Sequence, residues 1–237
     1  MSDAEKDWRA RSCAKEPWTV EWLLSSVQPD DVLFDIGANV GTFALIAAKH
    51  CRAHVVAFEP GYANFARLCD NIQLNGCHFS IVPVPLPVAD QSGLVGFKYR
   101  SIDPGQSRHK LKAEAWRFRG PAATASRYEQ PVLAMTLDSM ISTFHLPHPH
   151  HMKIDVDGAE DRVLAGALET LRSDTLRSVL IEVDHAQWTD VSKLLDDTGL
   201  ALEKRIERDK AGAPAYGLFV RRRRTRTESR SSWWNFR

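Results

Sequence analysis

The sequence predicts an α/β fold on a parallel sheet. Apolar, strand-like runs alternate with helix-period segments along most of its 237 residues. The run LFDIGANVG (33–41) reads as a buried strand, a glycine turn and the start of a helix. A second buried strand, AHVVAF (53–58), ends at Glu59. The hydrophobic fraction of 43% is that of an ordinary globular chain, and the length is enough for a sizeable core in one domain.

The elements follow in order. Residues 17–27 form a helix opened by Pro17, with Trp18, Trp22 and Leu23 on one face. Residues 31–36 are the first strand, 40–49 the helix after it, and 53–58 the second strand. Phe65, Leu68 and Ile72 recur at helical spacing within 62–74, and Asn75-Gly76 stops that helix. HFSIVPV (78–84) is a third strand, confined to an edge or a short element by prolines at 83, 85 and 87. Between 86 and 133 the rhythm breaks. LPVAD and LVGFKYR read as short strands about a turn at Gln91-Ser92-Gly93, and the polar, aperiodic stretch 101–130 reads as a lid over the substrate side. Regularity returns with a strand at 152–156, a helix at 159–171, a strand at 178–183 and a helix near 187–197 that ends at Gly199. A terminal hairpin, 200–206 with 216–222, turns around Asp209 to Pro214.

Charge is uneven. The segment 221–237 holds seven arginines and one acid, a net of +6, which leaves the body near −5 and makes it a poor general binder of nucleic acid. This segment reads as a self-repelling, disordered tail beyond a single domain of residues 1–220. No apolar run is long enough to span a membrane, and the N-terminal residues lack the apolar core of a secretory signal. The four cysteines form no CxxC pair, which fits idle thiols in a reducing cytoplasm.

The chemistry concentrates at strand tips. In DIGANVG, Gly37 and Gly41 permit a sharp turn and close approach of backbone to a ligand, and Asn39 tolerates left-handed backbone angles. A dinucleotide turn calls for GxGxxG facing a pyrophosphate. Here the leading Asp35 stands where a cationic amine can be held, which favours S-adenosylmethionine. Glu59 is placed to accept hydrogen bonds from both ribose hydroxyls. KIDVDGAE (153–160) brings Asp155, Asp157 and Glu160 to the tip of a strand expected beside the first. Asp157 as N-cap with Glu160 three residues on fits a capping box, so Asp155 is the catalytic candidate. IEVDH (181–185) adds Glu182, Asp184 and His185, and His185 is the alternative general base. HLPHPHH (145–151) holds four histidines, but two prolines and the lack of i, i+4 spacing argue against a preformed metal site, and a divalent metal is not indicated.

The strings FDIGANVGTFAL (34–45), VVAFEPGYANFARLCDNIQLN (55–75), TLDSM (136–140) and KIDVDGAEDRVLAGA (153–167) resemble those of the FkbM-type methyltransferase family, and the likeness runs from about Glu16 to Val220. The resemblance implies a class I methyltransferase, Rossmann-like fold: a doubly wound seven-stranded sheet with an antiparallel last strand. It implies S-adenosylmethionine as methyl donor and O-methylation of a hydroxyl on a sugar or other small molecule. On that pattern Asp35, Gly37, Asn39, Gly41 and Glu59 carry over as cofactor contacts. Asp90, before the turn at 91–93, carries over on the adenine side, and Asp155 is the acid at the fourth strand tip. Pro87 departs from the pattern and removes a backbone donor there; Asp157 stands where a glutamate is usual. A nucleic-acid methyltransferase working through the arginine tail, a protein methyltransferase and a non-catalytic module are the competing readings. NPPY-type, DPPW-type and Pro-Cys motifs are absent. The acceptor, a metal requirement and the oligomeric state carry no sequence signature.

Overall fold

The structure, a computed structural model, describes residues 12–101, 103–106, 109–117, 128–208 and 212–222. Two short helices, α1 (Ser12–Lys15) and α2 (Pro17–Ser26), lead into strand β1 (Val32–Ile36). Helix α3 (Thr42–Ile46) continues as a π-helical turn over Ala47–Cys51 and stops at Arg52, whose φ of 58° is left-handed. There follow β2 (His54–Phe58), α4 (Tyr62–Leu74), β3 (Ile81–Val84), β4 (Gly93–Lys98), β5 (Lys110–Ala115), β6 (Glu129–Ala134) and α5 (Leu137–Phe144). The chain ends with β7 (His151–Ile154), α6 (Glu160–Ala165), α7 (Leu168–Arg172), β8 (Ser178–Val183), α8 (Trp188–Asp197), β9 (Leu200–Ile206) and β10 (Ala215–Arg221).

Seven strands form one sheet in the order β3-β2-β1-β7-β8-β10-β9, and only β10 runs against its neighbours. The chain winds outward from β1 through β2 to β3, then restarts on the other side with β7. A cleft therefore opens at the carboxyl ends between β1 and β7. Alternate residues feed the two faces. Phe34, Ile36, Phe58, Met152 and Ile154 pack under α5 to α8, while Leu33, Val55, Ala57 and Leu180 pack under α2, α3 and α4. Burial on both faces explains why these strands are continuously apolar in sequence.

Three features depart from the sequence expectation. LPVAD contributes only an isolated bridge, Val88 with Met135. The aperiodic stretch 101–130, read as a lid, holds β5 and the start of β6, which flank β4 in a separate antiparallel sheet. Pro131 is tolerated because β6 is an edge strand. The single helix expected over 159–171 breaks at Gly166, where a Cβ would stand 1.9 Å from the Ala89 carbonyl oxygen.

Strand β10 runs to Arg221. The Arg221 guanidinium donates to the carbonyls of Leu171, Ser173, Leu176 and Thr198, tying the ends of α7 and α8 together. The remainder of the expected arginine tail, 223–237, lies outside the described residues, as do 209–211 of the terminal turn and 118–127 of the lid stretch. Among the described residues no helix is long and apolar enough to cross a membrane.

The histidine-rich loop belongs to the opposite end of the sheet. His150 Nδ1 accepts from the Val32 N–H at 2.8 Å. His151, 2% exposed, lies 2.7 Å from Ser178 Oγ and 3.2 Å from Asp31, which Arg177 also pairs. Burial pushes the His151 imidazole down to about 4. Because its folded value lies below the ordinary 6.5, the unfolded chain binds the extra proton between pH 6.5 and 4. Stability therefore falls as pH drops through that window, by about 3 kcal/mol when complete. Asp31, held below its ordinary value, loses stabilisation in the same direction at still lower pH. Thermal melts from pH 7.5 to 4.5 should show a falling midpoint, and His151→Gln should flatten the slope between 6.5 and 4.5.

Candidate active site

A cavity of about 580 Å³ lies at the carboxyl ends of β1, β2, β7 and β8. The turn after β1 forms one wall. Gly37 takes φ 85°, Asn39 51° and Gly41 86°. A side chain at Gly37 would collide with the Asp155 carbonyl oxygen, 1.9 Å from the ideal Cβ position, and one at Gly41 would meet Leu68 Cδ1 at 2.5 Å. The turn thus keeps bare backbone at Gly37 and Ala38 against the cavity. Gly41 sits behind it, outside the lining.

Glu59, just past β2 and 5% exposed, lines the cavity. Its Oε2 accepts from the Asn39 N–H at 2.9 Å and its Oε1 from the Gly61 N–H at 2.8 Å. The Asn64 side chain also bonds this carboxyl, which still keeps acceptor capacity for a ligand hydroxyl. Burial pushes the Glu59 carboxyl up to about 7, against the opposing pull of those N–H groups. Segment 103–106 covers this corner. The Gln106 carbonyl accepts from Asn39 Nδ2 at 3.2 Å and Asn64 Nδ2 at 3.1 Å, and the Gly105 N–H donates to Asn64 Oδ1. Phe97 and Leu111 of the small sheet, with Leu86 and Val88, supply apolar lining.

Register builds the floor. Asp35 on β1 pairs with Lys153 on β7, and Glu182 on β8 pairs with Tyr216 on β10. Lys153 Nζ lies 3.7 Å from Asp35 Oδ1 and 3.3 Å from Asp155 Oδ2, above the Phe43 ring. Burial alone would lower the Lys153 ammonium, but the carboxylates of Asp155, Asp35 and Glu16 outweigh it and hold it above its ordinary value. Burial likewise opposes ionisation of Asp155. Lys153, together with hydrogen bonds from Glu182 and Tyr216, nonetheless keeps that carboxyl below the usual range. The Tyr216 hydroxyl donates to Asp155 Oδ2 at 3.3 Å, and Arg208 donates to Glu182 Oε1. Asp155, Glu182, Tyr216, Arg208, Lys153 and Glu16 all border the cavity.

Several expected site residues stand elsewhere. Asp35 is 1% exposed and outside the cavity lining; the cation it faces is Lys153, an internal partner. Asp90 is exposed, away from the cavity, and held by Arg162 at 2.8 and 2.9 Å in a clamp between α6 and the β3–β4 connection. Leu86, Pro87 and Val88 of the same connection line the cavity, and Asp90 does not. His185 is exposed beside Arg205, 3.2 Å away, and borders no part of the cavity. Asp157 is not a helix cap. It has φ 59°, lines the cavity, and α6 begins after Ala159. Glu160 accepts from the Gly158 N–H at 3.1 Å, which makes it a loop brace.

His109, in the stretch without period, went unread in the sequence. It lines the cavity, packs at a tilt against the Phe97 and Tyr99 rings, and accepts the Arg100 N–H at Nδ1. Burial lowers its pKa, which keeps the ring neutral. Alternation of Leu111 and Ala115 within KLKAEA was the available hint of a strand beside it. Among the described residues no group of three or more His, Cys, Asp or Glu is arranged to hold a metal ion.

Comparison with known proteins bears on this geometry. The family model described as Methyltransferase FkbM domain matches residues 35–205. A hexuronic acid methyltransferase, AglP, of Haloferax volcanii is 29% identical over 212 residues, covering 88% of this chain and 80% of that protein. Two solved structures share the fold. One is a magnesium protoporphyrin IX methyltransferase from Synechocystis with bound SAM (TM-score 0.55, 12% identity, 94% of this chain and 85% of that one). The other is a precorrin-6y C5,15-methyltransferase from Geobacter metallireducens (TM-score 0.53, 13% identity, 88% and 87%).

Proposed function

The chain belongs to the FkbM methyltransferase family, S-adenosylmethionine-dependent enzymes, and from that premise we propose that it methylates a hydroxyl oxygen of a carbohydrate or related small molecule. The observation that carries this reading is a single cavity joining a bare glycine turn and the Glu59 carboxylate to an acid floor at Asp155. The Gly37–Ala38 backbone and the Glu59 oxygens suit the methionine and ribose parts of the cofactor. Leu86, Val88 and Phe97 suit its adenine. When bound, the cofactor supplies an electrophilic methyl on sulfur. The protein aligns the acceptor oxygen, excludes water and takes up its proton. Alignment of this kind lowers a barrier by roughly 7–11 kcal/mol.

A sugar acceptor is supported by the hexuronic acid methyltransferase relative. A hydroxyl nucleophile is supported by the Asp155 carboxylate, which would repel an ionised carboxylate acceptor and can receive a hydroxyl proton. The test incubates the protein with methyl-labelled S-adenosylmethionine and saccharides that carry or lack a uronic acid. Label in an alkali-stable methyl ether is the expected product. Alkali-labile ester label, or no transfer, overturns the hydroxyl assignment.

The cofactor contact has its own check. Charge-assisted bonds from ribose hydroxyls are worth roughly 1.5–3 kcal/mol each, so losing two of them in Glu59→Ala should weaken S-adenosylmethionine binding by about a hundredfold to ten-thousandfold in calorimetry. Ribose donors favour the ionised carboxylate, so wild-type affinity should fall as pH drops below about 7. The variant should lose that dependence, and unaltered affinity would count against the ribose role.

A further inference from the structure

The carboxyls of Asp155 and Glu182 come together because β7 and β8 are adjacent parallel strands and both residues lie near their carboxyl ends. The register that pairs Ile154 with Ile181 sets Asp155 beside Glu182, and Tyr216, opposite Glu182 on β10, donates to Asp155. Two carboxyls held side by side away from water disfavour double ionisation, so the pair retains one proton. The surroundings decide where it sits. Lys153 and the Tyr216 hydroxyl both approach Asp155 Oδ2 at 3.3 Å, and they stabilise charge on Asp155. Glu182, 8% exposed, receives Arg208 on Oε1; that cation favours ionisation of Glu182 but is outweighed by burial and by the charge on Asp155. Glu16 approaches from the segment before α2, Asp157 from the loop after β7, Glu160 from the start of α6 and Asp35 from β1, and all four disfavour a second negative charge on the pair.

We propose that Glu182 stands as a neutral carboxylic acid donating its hydrogen to Asp155, a positioning residue that fixes the Asp155 carboxylate toward the acceptor oxygen. In transfer, the acceptor oxygen's lone pair forms the O–CH₃ bond while the S–CH₃ pair returns to sulfur. The O–H proton passes to Asp155. The pair then holds two protons, and one leaves to solvent through the cavity mouth. An oxygen acquiring a methyl cation is strongly acidic, so a carboxylate kept below its usual range still accepts the proton. Burial, and the repulsion of Asp155 itself, push Glu182 up to about 9 in support.

The protonation claim is tested without cofactor or acceptor. Protein labelled with ¹³C at glutamate carboxyls is titrated by NMR from pH 5 to 10, and the Glu182 signal is assigned by its loss in Glu182→Gln. The expected midpoint is near 9, moving down in Asp155→Asn. A midpoint below 6, or one that Asp155→Asn leaves in place, overturns the proposal. The positioning role rests on the methyltransferase reading and uses the saccharide assay above. Glu182→Ala should lower turnover about tenfold or more, and Glu182→Gln, which keeps a neutral donor, should restore most of it. The wild-type fall in rate above pH 9 should vanish in Glu182→Gln. Persistence of that fall overturns the positioning role. Failure of transfer to every saccharide, with the NMR midpoint as expected, refutes the acceptor assignment alone.

Discussion

Asp155→Asn is expected to cut turnover about a hundredfold to ten-thousandfold, the range of a removed general base, while S-adenosylmethionine affinity in calorimetry stays within about twofold. The reasoning is positional and electrostatic. Asp155 is a cavity-lining carboxylate kept ionised, because Lys153 and two hydrogen bonds outweigh its burial. Asparagine keeps the shape and can still accept from Tyr216 and Lys153, and Asp35 remains beside Lys153 to balance its charge, so the variant is expected to fold with reduced stability. It cannot take a proton. His185 offers no substitute, since it is exposed beside Arg205 and outside the cavity. His185→Ala serves as the control and should leave the rate unaltered. Undiminished turnover in Asp155→Asn would remove the base from this strand tip and turn attention to His109, the neutral imidazole on the other wall.

Local chemistry was legible in the sequence wherever one segment carries the whole device. The strand, turn and helix around Gly37 and the acid tip at Glu59 are such segments, because period, glycine and a terminal carboxylate are all visible within a dozen residues. The edge position of β3 was legible for the same reason, since Pro83 has no N–H for an inner ladder. What could not be read depends on register between distant strands. Asp35 has the standing of a cofactor ligand until β7 sets Lys153 beside it. Glu182 is one of three polar residues at a strand tip until β10 brings Tyr216 opposite and Arg208 follows β9. Asp90 enters the expected site only through the family likeness, and the structure has Arg162 from α6 holding it. The helix break at Gly166 is likewise a consequence of where the Ala89 carbonyl lies, which no helical period reveals.

Gly37→Ala is expected to abolish both cofactor binding and transfer and to lower stability by roughly 2–5 kcal/mol. Two terms combine. A left-handed alanine costs about 1–2 kcal/mol, and at φ 85° Gly37 lies beyond the region an alanine adopts comfortably. Overpacking adds about 1–3 kcal/mol, because the new methyl would stand 1.9 Å from the Asp155 carbonyl oxygen, a backbone atom that cannot swing aside. For a chain of this size that corresponds to a melting decrease of about 5–15 °C. Gly76→Ala separates the terms, since it carries the strain at φ 66° with nothing within 4 Å of the added Cβ. It should lose about 1–2 kcal/mol and no affinity. The clash at Gly37 has a further consequence. Relief requires the β7 tip to retreat, and that tip carries Asp155 as well as facing the cofactor turn. Asp155→Asn is therefore expected to separate turnover from binding, whereas Gly37→Ala loses both together even at temperatures where it remains folded. Retention of S-adenosylmethionine affinity by folded Gly37→Ala would mean that the turn can yield without moving the strand tip. The two walls of the cavity would then be mechanically independent.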